Sequence, residues 1–210
     1  MNILKVFQMC FLLVLFVIGS EAKSSEAIRL DGKIVANLAT AMLEAKNGSL
    51  IELSAGRFQQ SGVLVANNVT ITGVPGKTKI FGKATKGKGA LVLRGKNTIV
   101  QHLECFDIQV PSKNGACIRL AGKNLEVNHV YFHDSEQGIL TGPNPGRVVI
   151  NNSRFERLGK NGQAHGIYIG GGQLLISRSY FLSSKSEGHE IKSRADTNTI
   201  LSSVIASLDG

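Results

Sequence analysis

The chain has 210 residues and a formal net charge of +9. That length supports one domain with a real core, and the surplus of cations favours polyanionic partners. Tryptophan is absent and aromatics are only 6% of the chain, which argues against the stacking platform that single-stranded nucleic acid requires; no nucleic-acid partner is expected.

Lys5 gives a positive start, Val6 to Ile18 is apolar except for Gln8, and Gly19-Ser20-Glu21-Ala22 puts small residues where a signal peptidase reads. Residues 1–22 are therefore predicted to be a secretory signal peptide, and the mature domain, 23–210, to be secreted or periplasmic. The apolar run is shorter than the roughly 20 residues that span a bilayer, so no membrane span is expected after cleavage. The mature chain keeps Cys105 and Cys117. An oxidising compartment permits a bridge, but two cysteines make no disulfide scaffold, and buried free thiols are the expectation. No spacing resembles a zinc site; no metal is expected and no cofactor is indicated.

Residues 27–47 read as an amphipathic helix, with Ile34, Leu38, Met42 and Ala45 at helical spacing and Gly48 as its stop. The run "SLIELSAGRF" follows as a strand. From there short β-type runs recur. Ile71, Val100, Val127, Ile150, Ile176 and Leu201 align, and Cys105, Phe132, Phe155, Phe181 and Ala206 follow the last five at a constant offset. Leu91, Ile118, Ile139, Ile167 and Ile191 mark a second series. A fixed period of β-type runs in the mid-twenties (~25 residues) indicates a solenoid, in which one coil cannot bury its own apolar face and stacking neighbours does so. The phenylalanines would stack as an internal ladder. His102, His129, Asn152, Arg178 and Ser203 would form a polar row at a bend.

The order helix, "NGSLIELSAGRF", "VTITG", and the coil pattern "GKNLEVNHVYFHD....GI", resemble the right-handed parallel β-helix repeat proteins of the pectate-lyase-like superfamily. The resemblance covers residues 27–210. It implies an all-β fold, a right-handed parallel β-helix with an N-terminal capping α-helix. It is weaker for activity, because that repeat carries lyases, hydrolases, epimerases and non-catalytic surface proteins. The calcium cluster of pectate lyases and the Asp-rich pattern of polygalacturonases are not seen. The chain stops at Gly210 inside what should be another coil, which points to a shortened relative or to self-association through an open C-terminal coil.

Setting "AHGIYIGG" against "GHEIKSRA" places His165 beside His189 and Tyr168 beside Lys192. Alternation along a strand then turns Glu190, Lys192 and Arg194 outward with Tyr168, and Arg119 shares the register. Such a face fits a polyuronate: Arg and Lys neutralise a uronate carboxylate and acidify the neighbouring C–H, and Lys, Tyr or His takes the proton. Lys192, Arg194, Tyr168 and His189 are the candidate catalytic residues, and Glu190, Arg119 and His165 the candidate substrate-binding ones. The competing reading is a solvated row of charges, with Glu190 paired to its neighbours. His165 and His189 fall on the inward side, as a proton relay or a hydrogen-bonded corner ladder. His133-Asp134 reads as a turn pair. Three N-x-S/T matches, at Asn47, Asn68 and Asn151, and the basic loop Lys83–Lys88 carry little. The functional expectation is recognition of an acidic extracellular polysaccharide, by an elimination-type lyase, by a non-catalytic surface β-helix, or by an inactive relative.

Overall fold

The computed structural model describes residues 26–207; the expected leader lies outside them. Nearly every described element is a strand, and the strands coil into a parallel β-helix, the all-β solenoid expected. Each coil contributes one strand to each of three sheets, here A, B and C. The first coil runs Leu50–Leu53 in A, Gly56–Phe58 in B and Gly62–Leu64 in C. The sixth runs Gln173–Ser177, Tyr180–Leu182 and Ile191–Ser193. Thr197–Leu201 and Val204–Ala206 then add one more strand to A and to B.

The chain turns because particular side chains tolerate left-handed backbone. His102, His129, Asn152, Arg178 and Ser202 all have φ between 47° and 58° at the corner from A to B. Asp107, Asp134, Arg157 and Ser183 do the same on leaving B, and Asn68, Asn97 and Asn124, with φ of 56° to 59°, on entering A. Asn and Asp are several-fold enriched in this region. The three asparagines also link across coils, since the Asn97 amide donates to Asn68 and the Asn124 amide to Asn97, both at 2.8 Å.

The interior is a set of like-on-like rows. Ile71, Val100, Val127 and Ile150 are aligned in A. In B, Phe58, Ile80, Cys105, Phe132, Phe155 and Phe181 are successive partners. The Phe155 and Phe181 rings stack at 4.7 Å, and Phe132 meets Phe155 edge-on at 5.5 Å. Cys105 occupies a phenylalanine position and is disulfide-bonded to Cys117, so the expected free thiols are corrected. The bridge joins an inward position of B to the start of sheet C within one coil, filling space that the Phe rings fill in later coils.

Two sequence expectations fail locally. The last coil is shifted by one residue: Ile200, not Leu201, pairs with Ile176, and Ile205, not Ala206, pairs with Phe181. Ser202 therefore continues the bend row, and Ser203 lies beside it. Both Ile200 and Leu201 are apolar, so hydrophobicity could not choose between them. The second failure is the long helix. Ile28–Leu30 (β1) and Lys33–Val35 (β2) form an antiparallel hairpin. Asp31 and Gly32 turn it, with φ of 50° and 79°, as expected of an Asp-Gly two-residue turn. Ile34, which seemed to face the core, is 66% exposed. The helix itself, α1, is only Leu38–Glu44, capped by Asn37, whose side chain accepts from the Thr40 amide at 2.8 Å.

The hairpin and α1 cover one end of the coil stack. β1 pairs antiparallel with Leu50–Leu53, the first strand of A. Leu38, Ala41 and Met42 are buried, and α1 lies on the first strand of C. Gly62 permits that approach, since a Cβ there would stand 2.6 Å from the Met42 sulfur. At the other end Ile200, Leu201, Val204 and Ile205 are 42–53% exposed.

Candidate functional site

The outer face of sheet C carries one register row: Val92, Arg119, Leu140, Tyr168 and Lys192. Inward neighbours Ile118, Ile139 and Ile167 are fully buried, which forces the alternate residues out. Arg119, Tyr168, Lys192 and Arg194 thereby border one cleft of about 740 Å³. The Lys192 ammonium is 5.0 Å from the Tyr168 ring centroid, and the Arg194 guanidinium 5.7 Å, both within cation–π range. Burial lowers the pKa of the Arg119 guanidinium. Among the described residues, none of these three cations lies within ion-pair distance of a carboxylate.

Three other predicted site residues do not join the cleft lining. Position 190 lies in register with Gly166, Gly138 and Cys117. This row faces inward, because a Cβ on Gly138 would stand 2.7 Å from the Phe155 ring. The chain bends at Gly166 and Glu190, ahead of the last two sheet C strands, and Cys117 and Ile118 are both fully buried, so two successive residues face the interior and simple alternation breaks. The Glu190 carboxylate accepts from the Ser184 amide at 3.3 Å and lies beside Phe155 and Phe181. The outward placement expected of Glu190, and its pairing with the cations, are thereby corrected.

His165 is fully buried behind the cleft, its ring 5.9 Å from that of Tyr168. Its Nδ1 accepts from the His189 amide at 3.1 Å and lies 3.2 Å from His189 Nδ1. An Nδ1 that accepts a backbone N–H leaves the ring proton on Nε2, which has no hydrogen-bond partner among the described residues. Burial, with the charges of Lys192 and His189, lowers the pKa of His165 to about 4, so it is neutral at physiological pH. His189 is the exposed member of the pair.

Sequence reasoning missed two parts of the site. The loop before Ile167–Ile169 closes one side of the cleft with Asn161 and Gln163. Arg94, Lys96 and Lys123 border a smaller cleft that shares Gly142 and Pro143 with the first. Lys96 and Lys123 are register partners, so the coil period carried the signal.

A second cluster of charge covers sheet B. His133 ends the strand Tyr131–His133, with Nδ1 2.7 Å from Asp134 and Nε2 3.3 Å from Glu104. Arg157 holds Asp134 at 2.7 Å and Glu156 at 2.7 Å. Arg157, His133 and Lys185 keep the Asp134 carboxyl well below the usual carboxylate range. His133-Asp134 is thus one link in an ion-pair network that runs over five coils, from Lys79 to Lys185, beyond the turn pair expected. Arg154 first, then the Tyr131 hydroxyl and Arg157, lower the Glu156 pKa from 4.5 to about 2. A depressed carboxyl stabilises the fold fully above its unfolded pKa, and that contribution is lost as pH falls through the folded value. The urea midpoint is therefore expected to fall between pH about 4.5 and about 2, and Glu156→Gln to remove part of that fall. An equally steep acid limb in the variant would exclude Glu156 as a source.

No metal-ligating cluster of three or more His, Cys, Asp or Glu occurs among the described residues, and no described helix is long and apolar enough to cross a membrane. Compared with protein-family models and with curated proteins, the chain matches none.

Proposed function

We propose that this protein is an exported β-helix of the pectate-lyase-like kind, and that it binds an acidic extracellular polysaccharide in the sheet C cleft. The observation that carries this reading is the set of three cations, Arg119, Lys192 and Arg194, grouped around Tyr168 with no described carboxylate paired to them. Cations without protein counter-ions are available to ligand carboxylates, and partial burial strengthens that attraction. The phenol ring offers an apolar face for the sugar ring.

One arrangement favours chemistry as well as binding. Lys192 and Tyr168 sit together on the row that also carries Arg119. In β-elimination a base removes the proton α to the uronate carboxylate, the C4–O glycosidic bond breaks, a C4–C5 double bond forms, and the leaving oxygen takes up a proton. Arg119 or Arg194 would stabilise the carboxylate as charge builds on it, and Lys192 or Tyr168 would take the proton. His189, outside the cleft lining, has no direct part in this scheme.

Incubation with polygalacturonate and alginate, followed by ultraviolet absorbance of unsaturated uronate, tests elimination. Affinity electrophoresis on the same polymers tests binding. Lys192→Ala with Arg194→Ala is expected to weaken binding by about 100-fold, at roughly tenfold per removed contact of 1.4 kcal/mol. Undiminished binding by a folded double variant would remove the cleft as the site. Binding without absorbance growth would leave a non-catalytic glycan-binding β-helix.

A further inference from the structure

A second groove lies across the coil from sheet C, at the corner from A to B. Its cause is the left-handed turn row. At His102, His129, Asn152 and Arg178 the backbone has positive φ, which throws those side chains away from the first outward residues of sheet B. These are Glu104, Tyr131, Arg154 and Tyr180, successive register partners. Between the two rows lies a floor of Leu103, Val130 and Ser153, each 3% exposed. The channel has a volume of about 480 Å³, and both walls repeat at the coil spacing of ~4.8 Å.

The walls combine two chemistries. His102 and His129 stack at 5.2 Å. Arg178 is exposed, and its described side-chain partner is the Asn152 oxygen at 2.9 Å. Arg154 pairs with Glu156 yet remains 47% exposed. The one acid of the walls, Glu104, is already held by Lys79 at 2.8 Å and by His133. Tyr180 adds a phenol that is 49% exposed.

We infer that this groove is a second polysaccharide-binding site, taking an extended acidic chain parallel to the coil axis. Guanidinium, imidazole and amide donors meet carboxylates and hydroxyls; the Tyr180 ring meets the C–H face of a sugar. Nucleic acid fits less well. It needs several free aromatic faces in sequence, and the Tyr131 ring is already stacked on His133 at 4.2 Å, which leaves Tyr180. The inference rests on the reading that the protein binds acidic polysaccharide, and places a holding site away from the cleft.

The test is affinity electrophoresis of the full chain in polygalacturonate gels at low salt. It compares Arg178→Ala with Tyr180→Ala, Lys192→Ala with Arg194→Ala, and all four together. Arg178 and Tyr180 are surface residues, and circular dichroism checks that the variants fold. The groove variant is expected to lose about tenfold in affinity, equivalent to 1.4 kcal/mol, and the four-fold variant to lose more than either pair. Retention of wild-type affinity by the groove variant, with loss in the cleft variant, overturns the second site and leaves the proposed function standing. Failure of the unsubstituted chain to bind overturns both. Displacement of the polymer from the cleft variant by an equal charge of oligothymidylate overturns the polysaccharide assignment.

Discussion

Phe155→Ala is expected to destabilise the protein by about 3–5 kcal/mol, the range for truncating a fully buried aromatic. Phe155 is 1% exposed and is held between Phe132 and Phe181. Its ring also occupies the space above Gly138, where no side chain could take its place. The backbone on either side is fixed by parallel pairing to two coils, so the cavity cannot close by collapse. The measurement is the urea midpoint at constant m-value, which reports stability without a change in exposed area. A loss under about 1 kcal/mol would show that the ladder repacks, and that the row is filler.

Gly122→Ala is expected to cost more than the roughly 1–3 kcal/mol typical of overpacking. Gly122 sits directly over Gly95, and an added Cβ would overlap the Gly95 carbonyl oxygen and crowd Arg94. The obstacle is backbone, so no rotamer change relieves it. Two coils that pair at Lys96↔Lys123 and at Leu93↔Leu120 would have to part. Gly142→Ala is the control, because its added Cβ would meet only the Leu120 oxygen at 4.0 Å. Equal melting temperatures for the two variants would contradict close coil stacking at this corner.

The fold was legible wherever the sequence repeats. Phe132, Phe155 and Phe181 announce their row because each coil presents the same residue at the same place, and Ile118, Ile139, Ile167 and Ile191 do so for sheet C. Legibility ends where local geometry departs from period and alternation. Asp31-Gly32 is a strong hairpin turn, yet Ile34 falls at helical spacing before Leu38 and Met42 of α1, and spacing alone could not separate strand from helix there. The bend just before Ile191–Ser193 hid Glu190 in an inward row, although the small residues aligned with it, Cys117, Gly138 and Gly166, were a usable sign. The disulfide was hidden because Cys105 and Cys117 belong to rows of two different sheets, whose approach inside one coil the repeat does not reveal. Of the candidate site, Arg119, Tyr168, Lys192 and Arg194 were readable as outward neighbours. Asn161 and Gln163 were not, since a loop's path is outside any repeat.

The antiparallel hairpin at the start of sheet A gives the molecule a polarity. A parallel coil propagates by presenting its edge amides and carbonyls to the next coil in the same sense. β1 and β2 break that sense at one edge, and α1 lies on sheet C at the same end. That end cannot template a further parallel coil. The edge formed by Thr197–Leu201 and Val204–Ala206 keeps the parallel sense and exposes Ile200 and Ile205. The sheet C cleft draws Lys192 and Arg194 from the last sheet C strand and the residue after it, and Arg119 from three coils deeper. A ligand that bridges Arg119 and Lys192 therefore ties the third coil to the sixth, and is expected to raise the melting temperature of the coils between them together.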